Sequence, residues 1–352
     1  MAQKKFLVTG ATGDTGGYTV EQLLERGHAV RALAHREDDR SKRLGKMGAE
    51  VVIGDFLKFN DVRAAMRGVR GAYFCYPIRP GILQATAYFA QAAKEAGLEC
   101  VVNMSQKSAR EDALSHAAQD HWLSEQVFDW SGITAAHLRS TYFAEWLLYL
   151  APMIRAGVLH VPFGTGRHAP IAAEDQARVI VGILENPSPH RGHVYPLCGP
   201  VEFTYAEIAQ VLSRVLGWEV RYKQVSIETM LTMMASGGQQ PPPGHNARAL
   251  YGEFEPRPER QGDSFAMQHL REVAIDHQNG IFAGTNELIE KIGGHPPMTW
   301  RNSLSTALPL LREYDSDERA TDDSSTWSSP QYINDVLTRS QILPRMVTPR
   351  RW

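Results

Sequence analysis

The chain's 352 residues carry 39 acidic and 37 basic side chains, a formal net charge of −2. That balance lacks the basic surplus that drives binding to a phosphate backbone, so neither a nucleic-acid nor an anionic-membrane partner is expected. A hydrophobic content of 43% with only three scattered cysteines, Cys75, Cys100 and Cys198, points to an ordinary folded protein of the cytoplasm without a disulfide framework. The longest apolar stretch, Phe143 to Val158, is broken by Glu145, Pro152 and Arg155 and is too short to span a bilayer. The 13 histidines show no zinc-ligand spacing, so no metal site is expected.

Strands and helices alternate through the first half, the pattern of a doubly wound parallel sheet. Phe6 to Thr9 reads as a strand leading into Gly10-Ala11-Thr12-Gly13-Asp14-Thr15-Gly16-Gly17. A helix follows with Val20, Leu23 and Leu24 on one face and stops at Gly27. In this arrangement Gly10 permits a tight turn and Gly13 lets backbone approach a pyrophosphate. Gly16 lets the helix pack on the strand, and the first helical N–H groups face the phosphates, with Thr12 and Thr15 adding side-chain bonds. The next strand runs from Val30 to Ala34 and continues into His35 and Arg36, with no carboxylate before Glu37. An acid at that point holds the ribose 2′-OH of NAD. Arg36 in its place, helped by Arg31 and His35, suits the 2′-phosphate of NADP(H), which is expected over NAD.

Further strands are expected at Val51–Ile53, Gly71–Tyr76, Cys100–Met104 and Ile133–Leu138. Helices are expected at Asn60–Arg67, Leu83–Ala96 and Gln119–Trp130. After residue 140 the pattern changes. Phe143–Ala156 reads as an aromatic helix, Asp175–Leu184 as a second, and His193–Leu197 as a strand. Thr204–Leu216 carries Thr204 and Glu207 at capping-box spacing, and Val220–Val225 reads as strand. Ser236–Gly244 and Glu253–Asp263 read as loop, Met267–His277 and Thr285–Ile292 as helix. The expected organisation is a dinucleotide-binding domain over residues 1–140, to which later segments can return. A smaller substrate-binding α/β part follows over 141–313, then a polar tail over 314–352, acidic and serine-rich at Tyr314–Ser329. The helix at Leu83–Ala96 offers a face for a homodimer.

Several segments together resemble the NmrA-like family of atypical short-chain dehydrogenases/reductases. They are Val8–Gly17, the basic strand end at Arg36, Gly54-Asp55-Phe56, Leu138-Arg139-Ser140 with Phe143, Glu174-Asp175-Gln176-Ala177, Tyr195 to Pro200, and Gly293 to Pro297. The resemblance covers roughly residues 1 to 305. It implies a Rossmann domain, a smaller C-terminal domain, and a substrate cleft beside the nicotinamide, with Asp55 and Phe56 flanking the adenine. Members so resembled are either NADPH-dependent reductases of quinones, dyes, imines or activated C=C bonds, or NADP sensors acting through a protein partner.

Catalysis of ordinary carbonyl reduction uses Tyr-x-x-x-Lys, and none of the 12 tyrosines has lysine four residues on. The family's lysine on the helix after the fifth strand is replaced, by His121 or Trp122; His121 is the candidate donor and Ser105, ending that strand, the candidate orienting hydroxyl. Lys107 reads as a solvated loop residue, Glu125 as structural, and Tyr76 as a cofactor contact. Tyr142, Phe143 and Trp146 are the candidate substrate wall, with simple core packing as the alternative. The expected function is NADP(H)-dependent hydride transfer to a conjugated, electron-poor small molecule, which needs orientation more than a strong acid. The alternative is a non-catalytic redox sensor. An open cleft beside the nicotinamide position separates the two, since a sensor needs none.

Overall fold

A computed structural model describes residues 4–235 and 265–298. The first half runs β1 (Lys5–Val8), α1 (Asp14–Glu25), β2 (Ala29–Ala34), α2 (Asp39–Lys46), β3 (Glu50–Ile53), α3 (Phe59–Ala65), β4 (Gly71–Phe74), α4 (Ile82–Ala96), β5 (Cys100–Gln106), α5 (His116–Ser131) and β6 (Ala135–Ser140). A 3₁₀ segment, Ala144–Leu150, then leads to α6 (Ala151–Arg155), β7 (Val158–Val161), α7 (Ala173–Glu185), β8 (His193–Leu197), α8 (Tyr205–Leu216), β9 (Arg221–Gln224) and α9 (Ile227–Ala235). The last described helices are α10 (Phe265–Gln278) and α11 (Leu288–Gly293).

Seven strands form one sheet in the order β3-β2-β1-β4-β5-β6-β8, every neighbouring pair parallel. Helices cover both faces, so strand side chains are buried in unbroken runs; Phe6, Leu7 and Val8 are all buried. On one face Phe6 and Val8 pack with Val20 and Leu23 of α1, Val179 and Ile183 of α7, and Ile289 of α11. On the other, Leu7 and Phe74 pack with Val62, Phe89 and Phe128 of α3, α4 and α5. Each such large apolar side chain contributes about 1.5–3 kcal/mol when fully buried. A third cluster joins the 3₁₀ segment, α6, α8 and α9 around Ile154, Leu159 and Ile208, with the parallel pair β7–β9 at its edge.

Strand order reverses between β1 and β4, and such reversals leave a crevice at the carboxyl ends of the strands. Here Thr9 ties the diverging ends together. Its hydroxyl donates to the Tyr73 carbonyl at 2.9 Å and accepts the Cys75 N–H at 2.9 Å.

The chain after residue 140 does not stay apart from the first sheet. β8 extends it beside β6, and α7 packs on α1, where the Gln22 side-chain amide donates to the Glu174 carbonyl at 3.1 Å. Thr204 and Glu207 form the expected capping box on α8. The aromatic helix expected over Phe143–Ala156 is instead the 3₁₀ segment followed by the short α6, with Pro152 in the first turn. Proline lacks the N–H that would continue the preceding helix. Neither α2, β7 nor α9 is expected from the sequence; β4 ends two residues before Tyr76, while α5 begins earlier than expected, at His116. The loops expected at Ser236–Gly244 and Glu253–Asp263, and the polar tail, lie outside the described residues. Among the described residues no helix is long and apolar enough to cross a membrane, and no group of three His, Cys, Asp or Glu side chains is arranged to hold a metal ion.

Candidate cofactor and substrate cleft

One cleft of about 120 Å³ opens along the carboxyl edge of the sheet. Its floor and near wall are the turn after β1 (Gly10, Gly13, Thr15, Gly16) and the residues after β4 (Cys75, Tyr76, Pro77). Ser105 and Gln106 end β5, and Ser140 and Thr141 follow from β6. The far wall is aromatic: Tyr142, Phe143, Trp146 and Phe282.

The glycine turn has the geometry of an anion cradle. Gly10 adopts a left-handed φ of +58°, and a Cβ on Gly16 would fall 2.2 Å from the Gly10 carbonyl oxygen, so only glycine lets α1 sit this close to the turn. A Cβ on Gly13 would meet the same oxygen at 3.2 Å. Gly13 is also the N-cap of α1 and brings no capping side chain, leaving the first-turn N–H groups to an external acceptor. These residues fit a dinucleotide pyrophosphate. Thr15 is buried, its hydroxyl 3.5 Å from Gln176 Oε1; Thr12 is half-buried and does not line the cleft.

At the end of β2 the Arg36 side chain is 71% exposed and touches Asp38 at 3.4 Å. Asp38 caps α2, accepting the Arg40 and Ser41 N–H groups at 3.0 Å, and pairs with the Arg40 guanidinium at 2.8 Å. Burial works against ionisation of Asp38, and the bonds from Arg40 and Ser41 overcome it, holding the carboxyl below its usual range. The nearby acid that would hold a ribose hydroxyl is therefore engaged. Arg31, expected as a helper of Arg36, is not one. It is buried and donates to the Ala65 and Arg67 carbonyls at 2.8 and 2.7 Å and pairs with Glu50, because β2 alternates and sends it to the far side. His35 is exposed.

Asp55, Phe56 and Arg36 stand outside the cleft lining. Asp55 Oδ1 accepts the Leu57 N–H at 2.9 Å. The Phe56 ring meets Tyr76 edge-on at 5.7 Å, and the Tyr76 hydroxyl donates to the Pro80 carbonyl at 3.2 Å.

At the inner end, Ser105 and His121 line the same cleft. The Ser105 hydroxyl donates to Glu125 Oε1 at 2.6 Å, and Arg139 binds the same carboxylate through two bonds at 3.0 and 2.6 Å. The Ser105 proton is thus committed to Glu125, which leaves its Oγ only acceptor capacity. His121 is 4% exposed, its Nδ1 has no hydrogen-bond partner, and burial pushes its pKa down to about 3, with His269 adding to the shift. It stands neutral at pH 7 and can donate from one ring nitrogen. Lys107, read as a solvated loop residue, is instead part-buried and donates to the Ala283 carbonyl at 2.7 Å and to Cys198 Sγ at 3.0 Å. A carbonyl brought in by the chain after α10, nearly 180 residues away, is invisible to local reading.

The aromatic wall is interlocked. Tyr142 meets Trp146 edge-on at 5.1 Å and Phe282 at 5.0 Å, and Phe143 stacks on Trp146 at 5.3 Å. Three lining residues from the last described segment escaped sequence reasoning: His269 and Val273 of α10, and Phe282 after it. The helical pattern of Met267–His277 was legible, but nothing local says which face meets β5 and α5.

The NmrA-like family model matches residues 2–261. The chain is 29% identical over 297 residues to an NAD(P)H azoreductase of Xenophilus azovorans, covering 84% of this chain and 94% of that protein. It is 32% identical over 241 residues to a (4-alkanoyl-5-oxo-2,5-dihydrofuran-3-yl)methyl phosphate reductase of Streptomyces griseus, covering 67% of this chain and 82% of that one. In fold it is similar to an NADPH-dependent quinone oxidoreductase of Escherichia coli solved with NADPH. That match has a TM-score of 0.71 and 23% identity over 86% of this chain and 99% of that one.

Proposed function

Because the chain belongs to the NmrA-like family, we propose that it works as an NADPH-dependent reductase of conjugated, electron-poor small molecules such as azo compounds, quinones and activated C=C bonds. The observation that carries this reading is that the glycine turn after β1 and the aromatic residues Tyr142, Phe143 and Trp146 line one and the same cleft. A sensor of the cofactor's redox state has no use for an open apolar chamber at that point. The relatives named for reduction of an azo bond and of an unsaturated lactone support the substrate class.

NADPH, when bound, supplies the hydride. Gly10, Gly13 and Gly16 hold its pyrophosphate on the N-terminus of α1, with Thr12 and Thr15 beside them. Arg36, loosely held by Asp38, turns to the 2′-phosphate, and Asp55 and Phe56 border the adenine. Tyr76 and Ser105 line the path to the inner end, where Ser105 orients the ring by accepting a hydrogen bond. His121, neutral and buried, lends an N–H to the reacting substrate, and water or this weak donor supplies the proton that accompanies the hydride. The aromatic wall presses the flat substrate against the cofactor and keeps bulk water out. The missing Tyr-x-x-x-Lys pair is consistent with substrates that accept hydride without a strong acid.

The test is NADPH oxidation, followed by absorbance, against azo dyes, quinones, enones and imines. Turnover of one of these classes is the expected result, with a weakened NADPH affinity in Arg36→Ala. Tight NADPH binding with no turnover across the set would return the chain to the sensor reading.

A further inference from the structure

Helix α10 begins at Phe265, beyond the residues matched by the family model, and yet it supplies His269 and Val273 to the cleft. Its buried residues set three polar side chains, His269, Asp276 and His277, beside the apolar Val273 and Ala274. His269 Nδ1 meets Ser115 Oγ at 2.8 Å, Asp276 takes the Arg110 guanidinium through two bonds at 2.8 and 2.9 Å, and His277 Nε2 meets His168 Nδ1 at 2.9 Å. Ser115 Oγ caps α5 by accepting the Ala118 N–H at 3.1 Å, which leaves its own proton free to go to His269 Nδ1. In the tautomer where Ser115 donates, the ring proton resides on Nε2. Burial keeps this imidazole neutral, its pKa pushed down to about 4. Beside it stands His121 with an unpartnered, buried Nδ1. The groups facing His269 are thus His121 and Ser115 of α5 and its loop, neither of them charged at pH 7.

We propose that His269 is the hydrogen-bond donor that holds the acceptor atom of the substrate, an azo nitrogen or a quinone oxygen, and that it selects such neutral acceptors over cationic dyes that lack one. The proposal rests on the reductase reading above and adds a specificity element brought by α10 alone. A buried donor left unpaired by a substrate without an acceptor is costly, which is how a polar group in an otherwise apolar cleft discriminates.

The experiment measures kcat/KM for NADPH oxidation by the full chain with a neutral azo dye, a benzoquinone and a triphenylmethane cation. His269→Phe keeps a flat ring without the donor; His269→Gln restores a donor. We expect His269→Phe to lower kcat/KM about tenfold on the azo dye and the quinone. The cation and NADPH affinity should hold within about twofold, and His269→Gln should recover most of the loss. Ser115→Ala, which releases Nδ1, gives an independent route should the Phe variant fail to fold: the same two substrates must weaken and the cation must not. An equal loss on all three substrates, no loss on the azo dye and quinone, or no recovery with Gln would overturn the proposal. A wild-type chain inert toward all three overturns the reductase reading with it, whereas an active wild type insensitive to His269→Phe overturns this proposal alone.

Discussion

Ser105 and Glu125 share a 2.6 Å hydrogen bond in which the serine is the donor, and that direction removes the serine from the list of proton sources. Ser105→Ala should therefore leave kcat within about tenfold of wild type, the scale of one lost neutral hydrogen bond. The larger effect belongs to Glu125→Ala, which strands the Arg139 guanidinium beside a vacated carboxylate site. Removing one partner of a buried pair costs about 3–5 kcal/mol, a loss that urea denaturation would register. A Ser105→Ala enzyme with turnover reduced a thousandfold would show that the hydroxyl acts directly.

Arg36 governs the choice of cofactor in the proposed reading. Its side chain is largely exposed and lightly held, so Arg36→Ala should leave thermal stability within about 0.5 kcal/mol, as for surface changes generally. The Kd for NADPH should rise about tenfold or more while that for NADH stays near its wild-type value. Fluorescence titration with both nucleotides makes the comparison, and parallel weakening of the two would place the 2′-phosphate elsewhere.

Gly16 tests the cradle itself. The 2.2 Å approach of an added Cβ to the Gly10 carbonyl leaves Gly16→Ala no choice but to push α1 off the turn. We expect lost NADPH binding and a stability deficit of about 1–3 kcal/mol, the usual cost of overpacking. Circular dichroism melting together with nucleotide titration reads both. Unaltered binding by the alanine variant would deny the turn its assigned part.

Acid should destabilise this chain well above the carboxylate range. Burial holds His121 at about 3 and His269 and His277 at about 4, and it sets His168 well below its ordinary value. Unfolded, these rings titrate near 6.5, so between about 4 and 6.5 the unfolded chain binds more protons and stability falls as pH falls. Glu145 works the other way. Burial raises it from 4.5 to about 7, so its contribution is present below 4.5 and lost as pH rises through 7. Four histidines outweigh one glutamate, and the urea midpoint should drop on going from pH 7 to pH 5. A flat profile over that interval would mean the rings are not buried neutral.

Much of this was legible beforehand where neighbours in sequence are neighbours in space. The turn Gly10–Gly17, the switch to Arg36 after β2 and the capping box at Thr204 each work through residues a few positions apart. The wall residues Tyr142, Phe143 and Trp146 follow a strand end, and strand ends in such sheets face the cleft. What stayed hidden depends on distant partners. Arg31 looks like a phosphate ligand until the strand's alternation sends it to Ala65, Arg67 and Glu50. Lys107 looks solvated until the Ala283 carbonyl arrives. Ser105 looks like a donor to substrate until Glu125 accepts its hydrogen bond, and His269 carries no local mark at all. The Phe143–Ala156 stretch misled because its apolar spacing fits a helix while Pro152 interrupts the backbone ladder.

The packing of α7 on α1 also sets an order of events in the making of this protein. Thr15 and Gln176 are 161 positions apart, and β8 must join β6 before the sheet has its last edge. A nascent chain that has emerged only as far as β6 presents the face of α1 that α7 will later cover, with Thr15 and Gln22 still without Gln176 and Glu174. Contacts of such long sequence separation form late and slowly. The candidate nucleotide cradle sits at the head of that same α1, so its final packing waits for the second half of the polypeptide. Truncated products ending near β6 are the ones a cell's chaperones would meet.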